Sequence, residues 1–321
     1  MRPASGEKRE KLDGKGTKAD VDGLLNVYKE RGFTSHDVVA KLRGILKQRK
    51  IGHTGTLDPE AEGVLPVCLG KATKVCALLT DQDKEYRAVL LLGRETDTQD
   101  VTGRVLRECE PETDEAAVRK AVLGFLGEYD QLPPMYSALK VDGKRLYEFA
   151  RQGMEVERRP RKVRVHEIAI ENMELPRVTM RVHCSKGTYI RTLCHDVGRV
   201  LGCGGCMERL ERTRVGGFRL EDAKTLGQIE AMRDAGTLAG AVTAVDTLFL
   251  SYPACFAAEG AQKRLYNGNP MRGEELKPAD GAELSERIRL YDSGGRFVGL
   301  YAYDGRLGLY RPETLFFADG K

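Results

Sequence analysis

From Thr34 to Lys50, the apolar residues Val38, Val39, Leu42, Ile45 and Leu46 recur at three- and four-residue steps. That is the spacing of one helix face. It predicts a helix capped by Thr34 or Ser35, with Lys47, Arg49 and Lys50 at the negative end of its dipole. IGHTGTLDPEAEG follows, and its three glycines and one proline mark a structured loop. GVLPVCLG is a short apolar run that predicts a buried strand, and EYRAVLLLG predicts another, beginning at Tyr86. Residues 113–127 predict a helix, with Thr113 ahead of Asp114 and apolar Val118, Val122, Leu123 and Leu126. VRVHEIAIENMEL and RVTMRVHCSKG predict two strands joined by a turn around Pro176. A helical stripe returns from Tyr189 to Leu201 in Ile190, Leu193, Val197, Val200 and Leu201. Strands and helices mix without strict βαβ alternation. The expected class is α+β, with a mixed or largely antiparallel sheet and flanking helices.

A boundary is expected near 245–252. Beyond it, RIRLYDS, RFVGLYAY and RLGLYRP predict short strands separated by Gly and Asp turns, a small C-terminal β-barrel or sandwich of about 70 residues. Residues 1–22 are polar and predict a disordered tail, leaving 23–250 as the main domain and 251–321 as the second.

Charge changes this picture little: 52 Lys and Arg against 48 Asp and Glu give a net +4, a mild lean toward polyanionic partners. No stretch approaches the ~20 apolar residues of a membrane span, and the first 20 residues lack an apolar leader segment, so a cytoplasmic location is expected. The eight cysteines are scattered. Cys203 and Cys206 have CxxC spacing, but only His195 lies near them, and a zinc site needs about four ligands. No metal site is expected.

The densest chemical signal is Gly52-His53-Thr54-Gly55-Thr56-Leu57-Asp58-Pro59. Pro59 biases Asp58 toward an extended backbone, and two glycines allow tight geometry around it. Asp58 is either a positioned carboxylate or the opening of an ordinary Asp-Pro turn. Local chemistry leaves both open.

The longer string GHTGTLDPEAEGVLPVCLG resembles the catalytic motif of the bacterial tRNA pseudouridine-55 synthases, the TruB family. NVYKERGFTSHDVV resembles that family's N-terminal motif, and DKEYRAVLLLGRETDTQDVTG its tyrosine-bearing strand. LPPMYSALKVDGKRLYEFARQG resembles its RNA-clasping insertion, placed at about 134–162, and CSKGTYIRTLCHDVG its arginine motif. The match runs in chain order from about Leu24 to Phe218 and resumes at YNGNPMRG, where the barrel resembles the family's PUA-like domain.

The resemblance implies a pseudouridine synthase fold and a roster of roles. Asp58 is the implied nucleophile, Tyr86 the tyrosine that stacks on the target base and takes part in proton transfer, and Arg191 the partner of the aspartate. His53 is implied to hold the RNA open, and Tyr189 and Leu210 to line the uridine pocket. Lys29, with Lys140, Lys144 and Arg145 of the clasp, is expected to contact the RNA backbone. One departure touches this set: the family's lysine is normally followed by proline, whereas Lys29 precedes Glu30.

These types suit the chemistry. Pseudouridine formation breaks the uracil N1–C1′ bond, turns the base and rejoins it through C5. It transfers no phosphate and oxidises nothing, so no cofactor or metal is implied. A carboxylate can attack uracil C6 or ribose C1′, or the ribose 2′ proton can be removed to give a glycal; the residues do not separate these routes. The base must leave its stack, at a few kcal/mol, and an aromatic face recovers ~1–3 kcal/mol of that. A guanidinium favours the ionised form of a buried carboxylate and cannot itself deprotonate. The implied partner is the T-arm of tRNA, met by a monomer without an obligate protein partner. A tRNA-binding or tRNA-folding protein without catalysis, the catalytic subunit of a guide-RNA-directed pseudouridylase, and a metal-dependent hydrolase built on His53 and Asp58 are the competing readings.

Overall fold

The structure is a computed structural model that describes residues 21–316 except 142 and 282. The tail expected at 1–22 lies outside the described residues apart from its last two, and those two are held. Val21 N donates to Gln48 Oε1 (2.9 Å), and Asp22 accepts from the Lys71 backbone N–H (2.7 Å).

Strand β1 (Gly23–Lys29) leads into helix α1 (Ser35–Leu46). Thr34 caps α1 in a reciprocal box with Asp37, and Lys47 ends it in the left-handed conformation. The loop 54–61 separates β2 (Ile51–His53) from β3 (Glu62–Leu69). After α2 (Cys76–Thr80), β4 (Lys84–Leu92) begins two residues before the predicted start. Lys84 already pairs with Cys184 on one side and Val215 on the other, and its buried Nζ donates to the carbonyls of Thr80 (2.5 Å) and Gln82 (2.6 Å). A ribbon of β5 (Arg94–Thr96) and β6 (Val105–Glu108) carries the loop 97–104. Next come α3 (Glu115–Leu123), capped by Asp114, and β7 (Gly127–Gln131). The clasp segment holds a small hairpin of β8 (Lys140–Val141) and β9 (Lys144–Arg145), then α4 (Leu146–Ala150). The long hairpin of β10 (Arg161–Glu174) and β11 (Arg177–Cys184) turns at Pro176, as its sequence pattern predicts. Helix α5 (Ile190–Val200), β12 (Gly205–Val215), β13 (Phe218–Arg219), α6 (Leu226–Asp234) and β14 (Val242–Thr243) complete this part.

The main sheet runs β14-β1-β3-β12-β4-β11-β10-β7, with β2 and β13 attached to β3 and β12. Its pairings are antiparallel except that of β12 with β3. Helices α3 and α5 pack on β4, β10, β11 and β12 through Val118, Ala121, Ile190, Leu193 and Val197. Helices α1 and α6 pack on β1 and β3 through Val38, Leu42, Leu226 and Ile229. Leu57 joins the first cluster while its N–H bonds to Ser35 of α1, so the loop 54–61 sits at the seam between the two helix pairs.

The second sheet is built from β15 (Ala254–Ala257), β16 (Met271–Arg272), β17 (Leu276–Pro278), β18 (Arg287–Tyr291), β19 (Phe297–Asp304) and β20 (Leu309–Leu315), with α7 (Gln262–Tyr266) between the first two. Its order is β16-β20-β19-β18-β15-β17. The strands at the two ends are separated in sequence by residues 273–275 alone, so the edges come together and the barrel is nearly closed. The barrel is joined to the main domain by a shared cluster in which Phe249, Leu300 and Phe316 meet Leu24, Val64 and Cys68. Among the described residues no helix is long and apolar enough to cross a membrane.

Candidate active site

The loop carrying Asp58 is clamped from several sides. Thr54 donates to the Pro66 carbonyl from both its N–H and its hydroxyl (3.1 Å each). Leu57 N donates to Ser35 Oγ (3.0 Å), Gly32 N to Pro59 O (2.9 Å), and Ala61 N to Asp58 O (3.1 Å). From beneath, Lys29 Nζ donates to the carbonyls of Pro59 (3.1 Å), Ala61 (2.5 Å) and Glu30 (3.2 Å). Gly63, where β3 resumes, has φ +104°, and a Cβ there would lie 2.3 Å from the Arg212 carbonyl. Only glycine lets the chain leave the loop so close to β12.

This scaffold sets the Asp58 carboxyl 3.5 Å from Nη2 of Arg191. The arginine is the second residue of α5, and α5 lies hard against β12 because Gly198 meets the backbone of Gly204 and Gly205, where a Cβ would be 2.1 Å from Gly205 N. The start of α5 is fixed by Gln131, whose side chain accepts from Tyr189 N (2.8 Å) and donates to Tyr189 O (3.0 Å). Arg191 is nearly buried, its side chain 8% exposed, whereas the Asp58 side chain is 39% exposed and open to a ligand. A charge-assisted hydrogen bond spans 2.7–2.9 Å or so. At 3.5 Å the pair attracts without tying up the carboxylate oxygens, which suits a nucleophile.

Sequence reasoning missed a second carboxylate here. Asp100 Oδ2 lies 3.7 Å from Nη1 of Arg191, so the guanidinium stands between two acids. Thr98, Thr102 and the Thr102 N–H bond to Asp100 Oδ1 and hold it in the loop 97–104. The third tie is to the clasp: Arg191 Nη2 donates to Tyr136 O (2.6 Å). TDTQDVTG reads as a turn, and no local pattern marks Asp100 as part of a site.

Tyr86 lies on β4 directly across from Arg212 of β12, and burial pushes its phenol up; Asp58 and Cys184 push the same way, while Arg212 opposes them. Arg191 lies 6.0 Å from the Tyr189 ring centre, and Leu210 packs against the cluster that holds Leu57 and Tyr86. The structure therefore brings Asp58, Tyr86, Arg191, Tyr189 and Leu210 together. His53 sits at the end of β2, edge-on to His36 with ring centres 5.2 Å apart. Burial lowers its imidazole pKa, which favours the uncharged ring. Among the described residues no group of three or more His, Cys, Asp or Glu side chains could hold a metal ion, and Cys203 and Cys206 are both buried.

Lys29 requires correction. The resemblance implies a contact with the RNA backbone, but Lys29 is 0% exposed and spends its donors on the carbonyls under the Asp58 loop. Strand β1 runs inside the sheet, between β14 and β3, and its last residue ends below the loop. Burial lowers the Lys29 pKa from 10.5 to about 8, with Asp58 pulling it back up. Replacing Lys29 with Met orphans carbonyls and is expected to cost about 1–3 kcal/mol of stability in urea unfolding. The folded protein releases the Lys29 proton near pH 8 and the unfolded chain near 10.5, so the wild-type advantage should widen with pH across that window. The salt dependence of RNA binding should not change.

The other three expected RNA contacts lie on the clasp. Lys140 and Lys144 are exposed, and Arg145 is half-buried against the Tyr147 ring, 5.9 Å from its centre. Arg158 closes the base of this segment by donating to Pro133 O (3.0 Å).

The chain resembles known proteins in both sequence and fold. Residues 43–190 match the TruB family pseudouridylate synthase N-terminal domain, and residues 191–249 the tRNA pseudouridylate synthase B C-terminal domain. A tRNA pseudouridine synthase B of Lachnoclostridium phytofermentans is 51% identical, covering 92% of this chain and 100% of its own length. One from Alkaliphilus oremlandii is 46% identical, covering 80% of this chain and 83% of its own. Among solved structures, a chain of a Cbf5–Nop10–Gar1 complex superposes with a TM-score of 0.67 at 28% identity, over 92% of this chain and 85% of that one. A chain of an H/ACA ribonucleoprotein bound to a substrate RNA containing 2′-deoxyuridine gives 0.66 at 25%, over 92% and 86%. With the matched domains, the aligned relatives and the shared fold all in agreement, this chain belongs to the TruB family and is a pseudouridine synthase.

Proposed function

We propose that the protein converts a uridine in the T-loop of tRNA, at position 55, to pseudouridine, with Asp58 as the nucleophile on a base turned out of the loop. The observation that carries this reading is the Asp58 carboxyl held 3.5 Å from Arg191 on a loop fixed by its backbone. Tyr86 supplies the stacking face, Tyr189 and Leu210 the walls, and His53 a flat ring for the space the base leaves. The relatives named tRNA pseudouridine synthase B support tRNA as the substrate. The test is an unmodified tRNA transcript treated with the purified protein and mapped for pseudouridine, with and without a chelator. One pseudouridine in the T-loop, unaffected by the chelator, is the expected result. Modification elsewhere, or none, overturns the assignment.

A guide-directed subunit predicts no activity on a bare transcript. The 51% identity to tRNA pseudouridine synthase B, against 28% to the Cbf5 chain, favours the stand-alone reading. A protein that only folds RNA predicts binding without product.

On the clasp, exposed Lys140 and Lys144 and the partly exposed Arg145 are read as phosphate contacts. Each Ala replacement is expected to lower the slope of log affinity against log salt by about 0.7–0.9, uniformly across tRNA species. Filter binding at several salt concentrations measures this, and an unchanged slope removes that residue from the interface.

A further inference from the structure

Arg212 is 1% exposed and heads the largest fully buried side chains among the described residues. Its Nε donates to Val64 O of β3 (2.7 Å), which fixes the side chain. A Cβ built on Gly55, in the Asp58 loop, would lie 4.0 Å from Nη1. On β12, Arg212 stands directly opposite Tyr86 of β4, and its charge favours the ionised phenol. Nη2 is buried and lacks a partner among the described residues. A buried guanidinium with no carboxylate against it among the described residues is costly.

We propose that Arg212 is a positioning residue for the isomerisation: it fixes the Tyr86 hydroxyl against the base and balances negative charge on that oxygen while a proton is exchanged. The inference rests on the reading of Tyr86 as the residue that meets the uracil. The phenol gives its proton to N1 as that nitrogen loses the ribose. The phenolate then takes the proton that C5 loses once the C5–C1′ bond has formed. The protons balance, and Tyr86 ends as it began. Between these steps the phenolate faces Asp58 from its loop, which is unfavourable to a negative oxygen, and the Cys184 thiol of β11, which burial keeps protonated. Lys84 lies two residues away on β4, its ammonium spent on Thr80 and Gln82. Arg212, opposite Tyr86 on β12, is the positive charge that opposes the effect of Asp58.

The test has two arms. With 3-fluorotyrosine placed at position 86 and no RNA present, ¹⁹F NMR follows ionisation of that residue alone. In Arg212→Met its titration midpoint should rise by roughly one pH unit or more, as expected when a nearby opposite charge is removed. A folded Arg212→Met protein with an unmoved midpoint overturns the proposal. The second arm uses Arg212→Lys, which keeps a charge should the Met variant fail to fold. Its single-turnover rate should fall roughly 10- to 100-fold with KM within about threefold, while in a Tyr86→Phe background the same change should cost less than about threefold. Equal losses in both backgrounds would mark Arg212 as merely structural. The NMR arm holds no RNA, so its outcome stands apart from any failure of the T-loop or nucleophile assignments.

Discussion

Asp58→Asn should stop pseudouridine formation while leaving tRNA affinity within about threefold of wild type, the signature of a group used in the chemistry and not in binding. Asparagine has the shape of aspartate, and the clamps on the loop run through backbone atoms of Leu57, Asp58, Pro59 and Ala61, which the change leaves in place. Its amide is neither a nucleophile for carbon nor a counter-ion for Arg191. The single-turnover rate should fall by a factor on the order of 10⁴ or more, as when a nucleophile is removed from a covalent mechanism. Rapid-quench kinetics together with filter binding check both halves. Loss of binding in parallel with rate would make Asp58 a structural residue.

Replacing Arg191 with Met should cost a factor on the order of 10²–10³ in the same rate, the usual scale for a preorganised charge at a reacting centre. Three acceptors share this guanidinium: Asp58 at 3.5 Å, Asp100 at 3.7 Å and Tyr136 O at 2.6 Å. Without it, two carboxylates face the same space with nothing between them, and the clasp loses its tie to α5. Arg191→Lys should recover only part of the rate, since one ammonium does not reproduce the planar fork that serves all three. Asp100→Asn should be milder, about tenfold, because it leaves the Asp58–Arg191 pair intact. A larger loss for Asp100→Asn than for Arg191→Met would reverse the ranking that the geometry supports.

Elements with internal periodicity are legible in the sequence. The α1 stripe, its Thr34 cap and the β10–β11 hairpin around Pro176 each carry their signal within a dozen or so residues. Strands β15, β16 and β17 do not, at four, two and three residues, because alternation needs more positions to show. The site divides in the same way. Asp58, Tyr86 and Arg191 stand in long strings that resemble a family, and the fold then brings them together. Asp100 and Arg212 are placed beside them by a ribbon and by strand register, which leave no local trace in TDTQDVTG or RLERTRV. Lys29 shows the converse: the resemblance implies an RNA contact, and only the position of β1 inside the sheet reveals that the lysine is buried.

The most direct test is a crystal structure of Asp58→Asn bound to an unmodified tRNA, which would trap the substrate without turnover. The T-loop uridine should lie outside its stack against Tyr86, with uracil C6 or ribose C1′ within roughly 3–3.5 Å of the residue 58 side chain, the distance of a near-attack arrangement. A uridine still stacked in the loop, or turned out but with both carbons beyond reach of that side chain, would contradict the account.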